Sequence, residues 1–152
     1  MLKLYQAAIG NGLDISDDAL EICKKNAQNQ EVANRLTLKK SDLFAALSDK
    51  KFDLIISNPP YISSSDINNL QEEVKKFEPH LALDGGFDGL NFYRKIAKRA
   101  GEFLKDQGRV IVEIGYGQEK SVQEIFTAEK FIFEETKNDL AGIARALSFK
   151  IA

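Results

Sequence analysis

The apolar run Phe52-Asp53-Leu54-Ile55-Ile56-Ser57 passes straight into Asn58-Pro59-Pro60-Tyr61, and no other stretch restricts the fold as tightly. The run reads as a strand of buried type. Neither proline has an N–H to give a ladder, both fix φ near about −65°, and each pushes its predecessor into extended backbone. The strand must therefore end at Ser57 and leave through a stiff, extended exit. Strand-like segments recur at 8–14, 36–40 and 109–114, separated by helix-like ones, and that alternation predicts an α/β fold with a parallel sheet. Ser16 is placed to cap a helix running to about Asn29, with Asp17 and Asp18 in its first turn where the helix dipole favours acids. A second helix is predicted over 90–103.

The C-terminal region changes period. Leu147, Phe149 and Ile151 alternate with Ala146, Ser148 and Lys150, and Phe131-Ile132-Phe133 is strand-like, so the loop "NDLAG" between them predicts an antiparallel hairpin at one edge of the sheet. The expected architecture is a doubly wound sheet. With 43% hydrophobic residues in 152, the chain has enough apolar surface for one globular domain. A net charge of −2 gives no bulk electrostatic reason to bind nucleic acid, and no apolar run approaches the roughly 18 residues of a membrane helix. Cys23 is the only cysteine, which suits a reducing compartment such as the cytoplasm. With Ala19 and Ala27 it forms an i, i+4, i+8 stripe in which it reads as a small core residue.

Ligands of doubly wound sheets sit beyond the carboxyl ends of the strands. Asp14, Asp42, Asn58 and Gly115-Tyr116-Gly117 take those positions. An acid there commonly accepts hydrogen bonds from ribose hydroxyls, and Asp14 is equally well read as an ordinary helix-leading acid. The pairs Gly10-Asn11-Gly12 and Gly115-Tyr116-Gly117 each resemble half of a phosphate-binding fingerprint, but Ile15 and Lys120 stand where the third glycine belongs. Both read as turn or sheet-edge features.

The Asn-Pro-Pro-Tyr segment is more specific. The carbonyls of Asn58 and Pro59 precede residues without amide donors, and the Asn58 side chain adds another acceptor. Two such acceptors can hold the two N–H bonds of a planar –NH2 group while Tyr61 packs on its face. The bland alternative is a rigid strand exit. Amide and exocyclic amine nitrogens are weak nucleophiles, so alignment must do most of the catalysis, and it can supply about 7–11 kcal/mol at best. A methyl sulfonium is a fitting electrophile.

At these residues the chain resembles the Asn-Pro-Pro-Tyr class of S-adenosylmethionine-dependent N-methyltransferases. "FEPHLALDGGFDGLNFYRKI" at 77–96, "GLDISDDALEICKKNA" at 12–27, "SDLF" at 41–44 and "NDLAGIAR" at 138–145 resemble the bacterial enzymes that methylate glutamine N5 in the Gly-Gly-Gln motif of peptide chain release factors. The resemblance implies a Rossmann-like class I methyltransferase sheet, mostly parallel with a C-terminal antiparallel hairpin. It implies that Asp14, Ile15, Asp42, Leu43 and Asn58 bind S-adenosylmethionine, Asp14 at the ribose and Asp42 beside the adenine. It implies that Asn58, Pro59, Pro60 and Tyr61 form the catalytic segment, and that Asn58, Pro59, Tyr61 and Glu78 hold the substrate glutamine. His80, the only histidine, reads as a loop or surface residue, and no metal is expected.

Two family features have no counterpart here: a glycine-rich loop after the first sheet strand and a helical N-terminal recognition domain. Residues 1–152 are accordingly expected to be a partial catalytic domain, with Met1 to Tyr5 as the tail of a helix and a strand absent between those ending at Asp14 and Ser57. Weak catalysis by the isolated chain is expected, with release factors as partners, no membrane and no direct nucleic-acid contact. The alternatives are an adenine or guanine amino-methyltransferase, a ribosomal-protein glutamine methyltransferase, and a non-catalytic fragment.

Overall fold

A computed structural model describes all residues, 1–152. They form two compact units, Met1–Asp49 and Lys50–Ala152. The strands correspondingly fall into two sheets where the alternation alone predicts one. In the first, β1 (Gly10–Asp14) pairs in parallel with β2 (Leu36–Lys40), Gly10 opposite Leu36 and Asp14 opposite Lys40. In the second, β3 (Phe52–Ser57), β4 (Leu104–Glu113), β5 (Phe131–Asn138) and β6 (Ala144–Ile151) take the order β3-β4-β6-β5. The physical reason for the division is that β1 pairs only with β2 and β3 only with β4, so each ends its sheet and no ladder continues past either.

In the first unit α1 (Asp17–Asn29) links β1 to β2. Ser16 caps it as the sequence predicts, its Oγ accepting from the Ala19 amide at 3.2 Å. Ala27 is buried, while Ala19 and Cys23 are only half-buried, so the expected core stripe is complete at one end alone. Gly10-Asn11-Gly12 lies inside β1 and is no turn. A Cβ on Gly12 would come within 2.7 Å of Leu38 Cδ2, so the glycine makes room for a leucine of the neighbouring strand. Met1 to Tyr5 forms a hydrogen-bonded turn, with the Tyr5 amide on the Met1 carbonyl at 3.0 Å. Arg35 holds that turn by donating to the carbonyls of Leu2, Tyr5 and Ala8.

The second unit carries the larger core. α4 (Asn91–Ala100) buries Tyr93, Ile96, Ala97 and Ala100, an i, i+3, i+4, i+7 stripe, and a 3-10 turn at Gly101–Phe103 completes the helical stretch expected over 90–103. α5 (Glu119–Ala128) buries Val122 and Phe126, one turn apart, and is a helix the sequence reading does not place. Phe126 stacks on Phe149 of β6 with ring centroids 4.3 Å apart and planes 8° from parallel, and it meets Phe131 of β5 edge-on at 5.5 Å. The hairpin forms as predicted: β6 runs antiparallel to both β4 and β5. Because β6 lies between two strands and β5 takes the edge, Ser148 is buried together with Leu147 and Phe149.

Two short exposed helices, α2 (Glu72–Phe77) and α3 (His80–Leu83), lead into the glycine-rich segment 84–91. That segment is laced to the chain leaving β3. The Ile62 amide donates to the Leu83 carbonyl at 3.1 Å and the Gly85 amide to the Ile62 carbonyl at 2.8 Å. The Ser64 hydroxyl and the Gly86 amide both donate to Asp84 Oδ1, at 2.8 and 2.9 Å. Those bonds hold the Asp84 carboxyl below its ordinary range, the Gly86 amide foremost. Asp88 lies lower still, at about 2, because Arg94 donates to it. Gly89 turns the segment with φ +73°, and a Cβ there would stand 2.4 Å from the Tyr61 carbonyl oxygen.

Two outcomes follow from this packing. Truncating Phe126 to alanine removes the stacked ring from the second unit's core and is expected to cost about 3–5 kcal/mol in urea-induced unfolding. Gly89→Ala combines backbone strain of about 1–3 kcal/mol with displacement of the Tyr61 carbonyl. The amide of Ile62 should then lose protection in hydrogen-exchange measurements, while the amides of β6 keep theirs; unchanged protection at Ile62 would show that Gly89 does not hold this loop.

Candidate functional site

Asp14 and Asp42 come from the first unit, at the carboxyl ends of two adjacent parallel strands. Asp14 is exposed; its Oδ1 accepts from the Ser16 amide at 2.8 Å, and its Oδ2 has no partner within the chain. One carboxylate oxygen thus serves the start of α1 while the other stays available to a hydroxyl donor, so both readings of this residue stand. Ile15 follows, 55% exposed between β1 and α1. Asp42 is exposed and its carboxylate is unpaired.

The loop holding Asp42 is shaped by a residue that sequence reasoning passed over. Ser41 is buried; its amide donates to the Asp14 carbonyl at 2.8 Å, its hydroxyl donates to the Leu43 carbonyl at 2.7 Å, and the same oxygen accepts from the Ala46 amide at 2.9 Å. These bonds tie the two strand ends together and bend Leu43 into left-handed backbone at φ 46°. Phe44, buried beside it, anchors the bend. The carboxylates of Asp14 and Asp42 and the half-buried Leu43 could together hold an adenosine group through its ribose hydroxyls and base.

In the second unit the segment leaving β3 has the acceptor-rich character its sequence predicts. Asn58 is exposed and Pro59 buried; neither the Asn58 side chain nor the carbonyls of Asn58 and Pro59 have a hydrogen-bond partner within the chain. Pro60 and Tyr61 are half-buried, and the Tyr61 ring lies against Gly115, where a Cβ would be 3.0 Å from its Cδ2. Gly115-Tyr116-Gly117 is therefore a turn between β4 and α5 whose first glycine admits the tyrosine ring.

Behind this segment stands Gln118. Its Nε2 donates to the Tyr61 carbonyl at 2.9 Å and its Oε1 accepts from the Gly115 amide at 2.9 Å. The buried Tyr93 hydroxyl donates to the Glu113 carbonyl at 3.0 Å and reaches Gln118 Oε1 at 3.3 Å, and burial pushes its ionisation well above the ordinary phenol range. Gln118, Gly89 and Tyr93 escape a sequence reading because Tyr93, Gly89 and Tyr61 lie 25 to 57 residues away from Gln118. The one local clue is an amide side chain three residues after the first glycine beyond β4.

Glu78 closes α2, exposed, and its carboxylate makes no hydrogen bond or ion pair that joins it to Asn58. His80 is exposed on α3 with Nδ1 4.0 Å from Asp84 Oδ2. No helix of the chain is long and apolar enough to cross a membrane.

Known proteins share this combination of elements. The methyltransferase small domain matches residues 1–89. The release factor glutamine methyltransferase of Geobacter sulfurreducens is 42% identical over 140 residues, covering 92% of this chain and 49% of that protein. The corresponding protein of Bradyrhizobium diazoefficiens is 44% identical over 149 residues, covering 97% and 50%. The chain thus spans about half the length of the curated relatives it matches. Among solved structures, a methyltransferase from Pyrococcus furiosus matches with a TM-score of 0.71 at 16% identity, over 98% of this chain and 66% of the other, which establishes the fold. With a match extending over more than half of its residues, this chain belongs to the methyltransferase small-domain family.

Proposed function

We propose that this chain is a partial catalytic domain of an S-adenosylmethionine-dependent methyltransferase, and that its substrate is the side-chain amide nitrogen of glutamine in the Gly-Gly-Gln motif of peptide chain release factors. The observation that carries the reading is the set of unpartnered acceptors, the Asn58 side chain and the Pro59 carbonyl, on a proline-stiffened exit from β3. Relatives at 42–44% identity that bear the release factor name support the substrate. Its proposed place of action is the cytoplasm, where release factors work.

S-adenosylmethionine supplies a methyl group activated on a sulfonium. Asp14 and Asp42 hold its ribose and adenine, with Ile15 and Leu43 as apolar neighbours. The chain's contribution to the reaction is geometric. Asn58 and the Pro59 carbonyl each accept one N–H of the glutamine amide, and Tyr61 packs on its plane. Two fixed N–H directions fix the lone pair of the same nitrogen, and the acceptors would strengthen their hold as that nitrogen becomes positive, its bond to the methyl carbon forming as the carbon–sulfur bond breaks, before it gives a proton to solvent water. The prolines make this inexpensive, because the acceptors are already oriented before the amide arrives.

Asn58→Ala in the enzyme that carries this chain should lower turnover by roughly 10- to 150-fold, matching about 1.5–3 kcal/mol for a hydrogen bond to a group acquiring charge, with cofactor affinity, held mainly by Asp14 and Asp42, left largely intact. Labelled methyl groups should appear on a release factor with Gln in its Gly-Gly-Gln loop and be absent from the Gln→Ala form. Labelling of adenine in duplex DNA in preference to the release factor would replace this substrate with a nucleic-acid base, and equal turnover of the Asn58→Ala and parent enzymes would remove the clamp.

A further inference from the structure

The Gln118 side chain has polar neighbours on four separate segments. Its oxygen accepts from the Gly115 amide at 2.9 Å and meets the Tyr93 hydroxyl at 3.3 Å; its nitrogen donates to the carbonyls of Tyr61 at 2.9 Å and Gly89 at 3.4 Å. A carboxamide offers two N–H donors and one oxygen with two lone pairs; both donors and one lone pair are engaged, and the second lone pair shares the single Tyr93 hydrogen with the nearer Glu113 carbonyl. It also has only one orientation. A flipped amide would turn its NH2 toward the Gly115 N–H and its oxygen toward two carbonyls.

The Tyr61 carbonyl is the far end of Asn58-Pro59-Pro60-Tyr61. At the near end, β3 is paired with β4 up to Ser57 opposite Val112. Between those two fixed points lie two prolines whose φ angles have little freedom, so pinning the Tyr61 carbonyl leaves the direction of the Asn58 and Pro59 acceptors almost no choice. The ring of Tyr61 is confined by the same group of residues, since a Cβ on Gly115 would be 2.8 Å from Gln118 Oε1 and 3.0 Å from the ring.

We propose that Gln118 is a positioning residue for methyl transfer: through the Tyr61 carbonyl it sets the aim of the Asn58 and Pro59 acceptors at the substrate nitrogen. Its part in catalysis rests on the function proposed above, whereas its hold on Tyr61 does not. Gln118 reaches no substrate atom itself. A glutamate at this position keeps the shape and the acceptor from Gly115 while setting a carboxylate oxygen against the Tyr61 and Gly89 carbonyls. Gln118→Glu therefore removes the aiming half of the network and leaves the other half.

The test compares Gln118→Glu and Gln118→Met with Val122→Ala, a core truncation one turn further along α5 that lies outside the network. Methyl transfer to a release factor is measured with the enzyme carrying this chain, alongside thermal melting. A displacement of the acceptors by about 1 Å should lower kcat on the order of 100-fold in both Gln118 variants while KM for S-adenosylmethionine stays at the parent value. Val122→Ala should lower the melting temperature without separating kcat from KM in this way. Equal kcat in Gln118→Glu and parent, or an equal loss in Val122→Ala, overturns the proposal.

A second readout is independent of activity. The chain has four tyrosines, Tyr5, Tyr61, Tyr93 and Tyr116, so 3-fluorotyrosine labelling gives four assignable fluorine signals. The Tyr61 signal should move in Gln118→Glu and stay in place in Val122→Ala, with Tyr5 and Tyr116 constant in both. If the parent enzyme methylates no glutamine, the proposed function fails while this signal still decides the positioning role. A Tyr61 signal unmoved in Gln118→Glu overturns that role as well.

Discussion

Two consecutive prolines after a strand remove the backbone donors that would otherwise tie the following residues to the sheet. Much of the second unit can be understood as the response to that loss. Beyond Pro60 the chain is held by other means: the Ile62 amide on the Leu83 carbonyl, the Gly85 amide on the Ile62 carbonyl, and the Tyr61 carbonyl on Gln118. The glycine-rich segment 84–91 is needed because only residues without a Cβ let its backbone come that close, as Gly89 does against Tyr61. The Asn58 side chain and the Pro59 carbonyl remain unpaired, groups a planar –NH2 could occupy. Rigidity behind the segment and open acceptors in front of it are two results of one constraint.

The first unit solves a similar problem with different parts. Two carboxylates must stand at neighbouring strand ends without being consumed by the local backbone. Asp14 spends one oxygen on the Ser16 amide, and the buried Ser41 hydroxyl closes the following loop, which leaves Asp42 unpaired. In both units a buried or half-buried polar side chain, Ser41 or Gln118, satisfies the backbone so that exposed groups need not. Such side chains are energetically expensive to bury unpaired and therefore hold their loops tightly once paired. The edges of β1 and β3 show the opposite situation, with no ladder beyond them and Ile56 of β3 55% exposed despite its place in an apolar run.

How much of this could be read beforehand depended on how local the cause was. β2 and β3 have the bounds their apolar patterns and flanking residues predict, and α1 begins at its cap and ends at Asn29. The hairpin of β5 and β6 was legible from period two and the loop between them. α5 went unplaced although Val122 and Phe126 recur at helical spacing, because ten residues with two buried positions give little pattern. The glycine pairs lie where the sequence reading puts them, the first in an edge strand and the second in a turn, but their packing partners were not legible. Gly12 makes room for Leu38 and Gly115 for the Tyr61 ring, and neither partner is near in sequence.

The sequence by itself determined the kind of chemistry: an amide and two prolines at a strand end dictate stiff, open acceptors wherever the chain goes next, because that property belongs to covalent structure. It likewise determined β2, β3, α1 and the C-terminal hairpin, since caps, periodicity and proline act over a few residues. Tertiary structure alone decided where those acceptors point and which sheet each strand enters. The aim of Asn58 depends on Gln118, 57 residues beyond Tyr61, and on glycines that admit it. Bonds across such distances form only when packing has already brought the segments together, and no short-range pattern records them.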